Sequence, residues 1–449
     1  MDHGSPGAVD RILKALESRG PSRIVPDRDR IRDLLDLLGS PQRGFPSIHI
    51  TGTNGKTTTA RMIDALLREF GIRTGRYTSP HLQRVTERIA LDGSPIDDAT
   101  FVSTYDDVAP YVELVDGRHP DPMTFFEVLT GMAFAAFADA PVDVGVIEVG
   151  LGGRWDATNV VDAPVAVVTP IGLDHMQYLG DTVEAIAAEK ADIIHEGAIL
   201  VSGPQPAAAA AVLDARVTAV GASQVRAGAD FGVRGRTIAV GGQMLEMEGL
   251  GGDYDEVFLP LYGAHQAGNA ATALAAVEAF FGLHGGVAEG RGPLDIDVVR
   301  SAFASVSSPG RMEVVRRSPT IILDGAHNPA GADALAAALE ESFTFEHLVA
   351  VVAVLDDKDA AGLLAALEPV VSSVVVTTNS SPRSLQVDAL AEVAVEVLGD
   401  ARVEVAPRLD DAIDSAVTTV ERDFIGGGGV LVTGSIVTVG DARTLLVAG

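Results

Sequence analysis

Residues 47–62 read SIHITGTNGKTTTARM: an apolar run, a glycine-bracketed turn, then a segment with no proline. A phosphate-binding loop ordinarily carries four residues between its first glycine and the Gly-Lys pair. Here Gly52 is followed by only Thr53 and Asn54 before Gly55 and Lys56. The turn is short by that pattern, yet its surroundings suit an anion. Glycines let backbone N–H groups approach a phosphate, and the helix N-terminus adds positive potential. Lys56 can reach terminal phosphates and Thr57 can hold Mg²⁺. Gly52, Thr53, Asn54, Gly55, Lys56, Thr57 and Thr58 are therefore the candidate nucleotide-binding residues.

Outward from this turn the same unit repeats. FPSIHIT, a helix over 56–70, IRTGRYT, a helix over 124–138 and VDVGVIEVG alternate as strands and helices do around a parallel sheet. Ligands then collect at the carboxyl ends of strands. Residues 223–260 change character, with pieces such as RTIAVGGQML that predict small antiparallel strands. A helix, HQAGNAATALAAVEAFF, precedes the glycine-rich HGGVAEGRGP, and a linker is expected over 285–310. Beyond it TIILD, HLVAVVAVL, SSVVVTT, a helix over 387–398 and GGVLVTG renew the alternation. The expected fold is α/β: a P-loop-type parallel-sheet ATPase domain with small antiparallel additions over 1–295, then a smaller Rossmann-like α/β domain over 296–449. At 449 residues, two domains is also what one hydrophobic core's limit suggests.

The bulk numbers exclude several classes. No uninterrupted apolar stretch is long enough for a membrane span, and the start, MDHGSPGAVDRILKALES, lacks a signal-like pattern. A cytoplasmic protein is expected. The absence of cysteine removes disulfides, thiolate metal sites and cysteine nucleophiles. A net charge of −29 argues against nucleic acid and anionic lipid, which need clustered Lys and Arg. Lysine is confined to Lys14, Lys56, Lys190 and Lys358, so arginine supplies positive charge elsewhere. A lysine nitrogen can lose its proton and react, which draws attention to Lys56 and Lys190.

Two further stretches carry chemistry. In VGVIEVGLGGRWDATN (144–159), Glu148 ends a strand that otherwise reads as buried. A buried carboxylate is costly unless paired or metal-bound, and a Mg²⁺ ligand is the reading adopted over a salt-bridged structural Glu. In AVVTPIGLDHMQYLGDTVEAIAAEKADII (166–194), a strand is expected to end at Asp174-His175 and a helix to carry Lys190. His175 alone reads more often as a hydrogen-bonded structural histidine than as a ligand.

Taken together, IRDLLDLLGSPQ, GTNGKTT, YTSPHL (77–82), the two stretches above, GAHQAGNA (263–270), PGRME (309–313), DGAHNPAG (324–331) and TGS (433–435) resemble the folylpolyglutamate synthase and dihydrofolate synthase enzymes of the Mur ligase superfamily over nearly the whole chain. That resemblance implies ATP-dependent ligation of L-glutamate to a folate-type acceptor, with dihydropteroate as a second acceptor, through an acyl phosphate and without a covalent enzyme intermediate. It implies that Lys56 binds terminal phosphates, that Thr57, Ser79 and Glu148 surround a first Mg²⁺, and that His175 holds a second. The lysine matching Lys190 is carbamylated in such enzymes, a modification an arginine, always protonated, does not undergo. Asn269 matches an adenine contact and Arg311 one reaching ATP phosphate. Asp324 and His327 match nucleotide and amino-acid site residues, and YTSPHL the folate-side loop. Arg383 is a candidate for the incoming glutamate's carboxylates. A monomer is expected.

The chain departs from the folate pattern at GTNGKTTT, which has threonine where many folate enzymes continue with Gly-Ser, a feature shared with peptidoglycan ligases, and at Asp192, which replaces a common glycine. The residues ahead of Gly52 leave no room for the UDP-sugar domain of the peptidoglycan enzymes, so the folate branch is favoured. Another Mur-type amide ligase and a nucleotide-responsive protein without turnover are the competing readings. Retention of Lys56, Thr57, Glu148, His175 and Lys190 disfavours the latter.

Overall fold

The computed structural model describes residues 7–20, 23–283, 292–423 and 427–447. Contacts group the chain into two compact units. The first holds the described residues through Thr237 with Met244–Leu259 and Ala267–Val306, and the second holds Ile238–Gln243, Pro260–Gln266 and the described residues from Ser307.

The first unit is built on an eight-stranded sheet, with Ser47–Thr51 flanked on either side by Val144–Glu148 and Val165–Val168, both parallel to it. All five residues of Ser47–Thr51 are buried, as a strand covered on both faces by helices must be. Thr74–Tyr77 continues the parallel array beyond Val144–Glu148, and Ile89–Leu91 and Ser94–Pro95 close that edge antiparallel. The helix Phe125–Asp139 starts at a capping box in which Thr124 and Glu127 satisfy each other's amides. Glu127 also pairs with buried Arg30 at 2.8 Å.

The stretch over 223–260 divides. Ser223–Arg226 joins the large sheet, parallel to Ile199–Ser202. Gly232–Ala239, Gly242–Glu248 and Asp253–Leu259 form a separate three-stranded sheet, and their short connections exclude parallel crossovers.

The expected linker over 285–310, with its boundary at 295/296, meets a helix instead. Ile296–Ala304 is capped by Asp295 and buries Val299, Ala302 and Phe303, packing on the helix Lys56–Glu69 and the strand Asp253–Leu259. Its amphipathic face explains why residues through Val306 group with the first unit. Residues 284–291 of that linker lie outside the described residues. In the second unit a six-stranded sheet, parallel except for Glu313–Arg317, surrounds Leu348, Ala350, Val352, Val374, Val376 and Leu431. Val387–Leu398 is helical, as its pattern predicts.

Candidate active site

At the carboxyl end of Ser47–Thr51 the chain turns through Gly52 to Gly55 and enters the helix Lys56–Glu69. Two of these positions demand glycine. Gly52 has φ +147°, and a Cβ there would lie 1.9 Å from Thr169 Oγ1. Gly55 has φ +86°, and a Cβ would lie 2.6 Å from Asn269 Oδ1. Gly55 is also the helix N-cap and brings no side-chain acceptor, so the first-turn amides are not consumed by it. The turn is strapped from behind: the amide of Thr53 donates to Pro170 O at 3.0 Å, and Thr53 Oγ1 donates to Gly172 O at 3.0 Å. The neighbouring strand stops at Val168, earlier than the expected end at Asp174-His175. Pro170 lacks the N–H a longer strand would need, and residues 169–172 serve the glycine turn instead.

Two lysines converge on one carbonyl of this turn. Lys56 Nζ donates to Gly52 O at 3.0 Å and to Thr53 O at 3.2 Å, and Lys190 Nζ donates to Gly52 O at 2.9 Å. Lys190 is the last residue of the helix Val183–Lys190 and is buried. Burial, and secondarily the charge of Lys56, lowers its pKa to about 7.

Glu148 ends its strand facing the same turn and is 1% exposed. Thr57 Oγ1 donates to both of its oxygens, at 2.9 and 3.0 Å, and the amide of Ser79 donates to Oε2 at 3.2 Å. Thr57, Ser79 and Glu148 are thus gathered in one place by three separate segments. For Mg²⁺ the donor set fits: a carboxylate and a hydroxyl are hard oxygen ligands, and the ion ordinarily keeps waters and substrate phosphates as its remaining ligands. Among the described residues no three His, Asp or Glu side chains form a metal cluster. His175 occupies a left-handed turn at φ +50°, with its amide donating to Asp174 Oδ1 at 2.8 Å and its Nε2 3.9 Å from Asp174 Oδ2.

Asn269 lies buried on the helix Ala264–Leu283, directly under Gly55. In the second unit, Asp324 accepts from the amides of Met312 (2.9 Å) and Ala326 (2.8 Å), and His327 Nδ1 is 2.9 Å from Gly325 O. A Cβ on Gly325 would stand 3.2 Å from Arg311 Nη1, so Arg311, Asp324 and His327 lie around one turn. Arg383 is occupied by Asp357 at 2.6 Å and Asp356 at 3.8 Å.

Sequence reasoning passed over a set of buried groups beside Glu148. Arg88 donates its Nε to His81 Nδ1 at 2.9 Å and stacks 5.1 Å over the Phe125 ring. Burial lowers the pKa of Arg88, opposed by Tyr77 and Glu148. Burial and Arg88 together lower that of His81 to about 3. The pKa of Arg61 falls to about 10, chiefly by burial and then by Arg76, with Glu87, Asp64 and Glu148 opposing. The legible signal was the arginine in TERIA, close behind YTSPHL, in a segment with strand-like apolar flanks.

Family models match over most of the chain: the Mur ligase middle domain over residues 50–277 and the Mur ligase, glutamate ligase domain over residues 310–436. The chain is 53% identical over 467 residues to a dihydrofolate synthase/folylpolyglutamate synthase of Mycobacterium tuberculosis, with 98% of this chain and 95% of the relative covered. It is 34% identical over 425 residues to a folylpolyglutamate synthase of Lacticaseibacillus casei, covering 94% and 95%. Crystal structures of Mycobacterium tuberculosis folylpolyglutamate synthase complexed with ADP and AMPPCP superpose with a TM-score of 0.93 at 51% identity, 99% of each chain being covered. An Escherichia coli chain in complex with DHPP and ADP superposes with a TM-score of 0.83 at 30% identity, covering 99% of this chain and 98% of that one.

Proposed function

The chain belongs to the folylpolyglutamate synthase/dihydrofolate synthase family of Mur ligases, and from that premise we propose how its own residues divide the work. It is an ATP-dependent ligase that joins L-glutamate to folates. Dihydropteroate is proposed as a second acceptor, giving dihydrofolate.

The reaction needs three things of the protein: a grip on the nucleotide, charge stabilisation of phosphoryl transfer, and a dry setting for the acyl phosphate. Gly52, Thr53, Asn54, Gly55, Lys56, Thr57 and Thr58 take the phosphates, with Lys56 leaving the carbonyls of Gly52 and Thr53 to reach the terminal group. Asn269 contacts adenine. Arg311, Asp324 and His327 enter as nucleotide contacts by resemblance. The acceptor carboxylate oxygen attacks the γ-phosphorus, and ADP departs with the electron pair of the broken bond. The glutamate amine then displaces phosphate from the acyl carbon and gives up a proton.

Mg²⁺ belongs to this reading at two places. Thr57, Ser79 and Glu148 would hold one ion, and His175 with Lys190 would hold the second. Bound there, Mg²⁺ neutralises charge that builds on the phosphate oxygens. Lys190 enters as its carbamate, and a pKa lowered to about 7 supports this because only the unprotonated amine takes up CO₂. The observation that carries the whole reading is the bond from Thr57 Oγ1 to Glu148 at 2.9 Å, which puts a carboxylate at the phosphate turn.

We further propose a monomer working in the cytoplasm on small molecules, with neither nucleic acid nor membrane as a partner. Among the described residues no helix is long and apolar enough to cross a membrane. The test is a product assay. Purified protein releases ADP, and forms a product one glutamate heavier, only when ATP, Mg²⁺, glutamate and a pteroate-type acceptor are all present. ADP release indifferent to acceptor, or no glutamylated product across reduced folates and dihydropteroate, refutes it.

A further inference from the structure

Buried arginines in the first unit are paired with carboxylates, with one exception. Arg30 pairs with Glu127 at 2.8 Å and Arg76 with Asp64 at 2.6 Å. Arg88 is also buried, at 9% exposed, and no carboxylate pairs with it among the described residues. Its Nε is spent on His81 Nδ1 and its face on Phe125, which leaves both Nη amino groups without an acceptor among the described residues. The adjacent Glu87 is unavailable, since its oxygens accept from the amides of Leu82, Gln83 and Arg84. Half-buried Arg61 likewise has no carboxylate paired with it among the described residues. It stands one turn beyond Thr57 on the phosphate-turn helix, and residues four apart share a helix face. Thr57 meets Glu148 from that face. A buried guanidinium without a paired carboxylate is expensive, and Arg88 so placed, with half-buried Arg61 on the neighbouring helix, marks a place built for an anion supplied from outside.

We propose that Arg88, assisted by Arg61, binds the acceptor carboxylate that is to be phosphorylated, and that His81 is the positioning residue that aims Arg88. The assignment rests on the ligase reading above. Its location selects the ligand. Arg88 O accepts from the amide of Thr78 at 3.0 Å, and the next amide, that of Ser79, donates to Glu148; Arg61 stands one turn from Thr57, and Phe125 and Phe126 provide an aromatic wall, Phe126 standing 5.8 Å from the Tyr77 ring. An aromatic acid fits that combination, with its ring against the wall and its carboxylate on the guanidinium fork. Because arginine only donates, His81 Nδ1 is the acceptor in their bond, and the ring fixes Arg88 by its Nε alone. The Nη groups stay available.

The test compares pteroic acid with its methyl ester as ligands of the ADP-bound protein, alongside steady-state kinetics with dihydropteroate. The wild type prefers the acid. R88Q raises the acceptor KM by about 10- to 100-fold, the range of a charge-assisted hydrogen-bonded pair. It erases the acid-over-ester preference and leaves ADP affinity and the glutamate KM unchanged. R61Q does the same to a smaller degree. H81A weakens the preference and H81N, which restores an acceptor, recovers part of it, an outcome a merely structural histidine would not give. Retained ADP affinity reports folding; if R88Q does not fold, R88K keeps the charge but not the fork and must still reduce the preference. An unchanged acid-over-ester ratio in R88Q or R88K overturns the proposal, as does an equal loss for acid and ester. Should the wild type form no glutamylated product, the ligase reading fails separately, and the equilibrium comparison still decides whether Arg88 reads a carboxylate.

Discussion

Replacing Gly55 by alanine separates two costs that usually arrive together. At φ +86° any side chain meets left-handed strain, about 1–2 kcal/mol. The new Cβ would also stand 2.6 Å from Asn269 Oδ1, and ordinary contact begins at 3.4 Å, so the amide must retreat by 3.4 − 2.6 = 0.8 Å. Asn269 is 5% exposed and cannot swing into solvent. Crowding of that kind costs about 1–3 kcal/mol, so G55A should lose roughly 2–5 kcal/mol in all. Gly71 is the internal control: φ is +78° with nothing within 4 Å of a Cβ, and G71A carries the strain alone. Combining G55A with N269A removes the obstruction, and the double-mutant cycle should return a coupling of about 1–3 kcal/mol. The assays are equilibrium denaturation and ADP titration. Since Asn269 is the proposed adenine contact, G55A also weakens ADP binding by about 2- to 10-fold, one hydrogen bond's worth, while G71A leaves it intact. A G55A protein no less stable than G71A, with ADP affinity preserved, would refute the argument that backbone approach to Asn269 is what demands this glycine.

Three further outcomes are expected. E148Q binds ATP but turns over about 10²- to 10³-fold more slowly, as loss of a group stabilising developing charge does; near-normal turnover removes Glu148 from the metal side. K190A is similarly slow and regains part of its rate with a short added carboxylate such as acetate, whereas intact-mass spectra in bicarbonate buffer that never show CO₂ on Lys190 defeat the carbamate assignment. His49 is fully buried, and burial lowers its pKa from 6.5 to about 3. The unfolded state therefore binds the extra proton between those values, so this contribution to stability is complete above pH 6.5 and declines towards pH 3, with a slope of up to about 1.4 kcal/mol per pH unit. H49Q should flatten that limb of a pH–stability profile, and an unaltered limb would contradict the assignment.

Much of the architecture and part of the site was open to reading from local pattern. The glycine turn, the run SIHIT before it and the helix after it are contiguous, and parallel strands covered on both faces must be continuously apolar. Glu148 stood out because a carboxylate ending such a strand violates that rule. Zero cysteine and a charge of −29 removed whole classes of chemistry at once. Where local pattern misled, a longer-range contact had taken over. The strand before His175 ends at Val168 because residues 169–172 brace the glycine turn, and the segment expected to link domains folds as a helix because Val299, Ala302 and Phe303 find an apolar surface on the first unit.

Sequence alone therefore determined the kind of site: which residues carry reactive or charged atoms, and that strand ends would gather them. Only the tertiary structure decided how those atoms share partners. That Lys56 and Lys190 meet at one carbonyl, that Thr57 bonds Glu148, and that Arg88, among the described residues, lacks the paired carboxylate given to Arg30 and Arg76 are facts about side chains brought together from distant positions. No periodicity encodes them, because a buried charge is set by what surrounds it in space, and neighbours along the chain do not supply that.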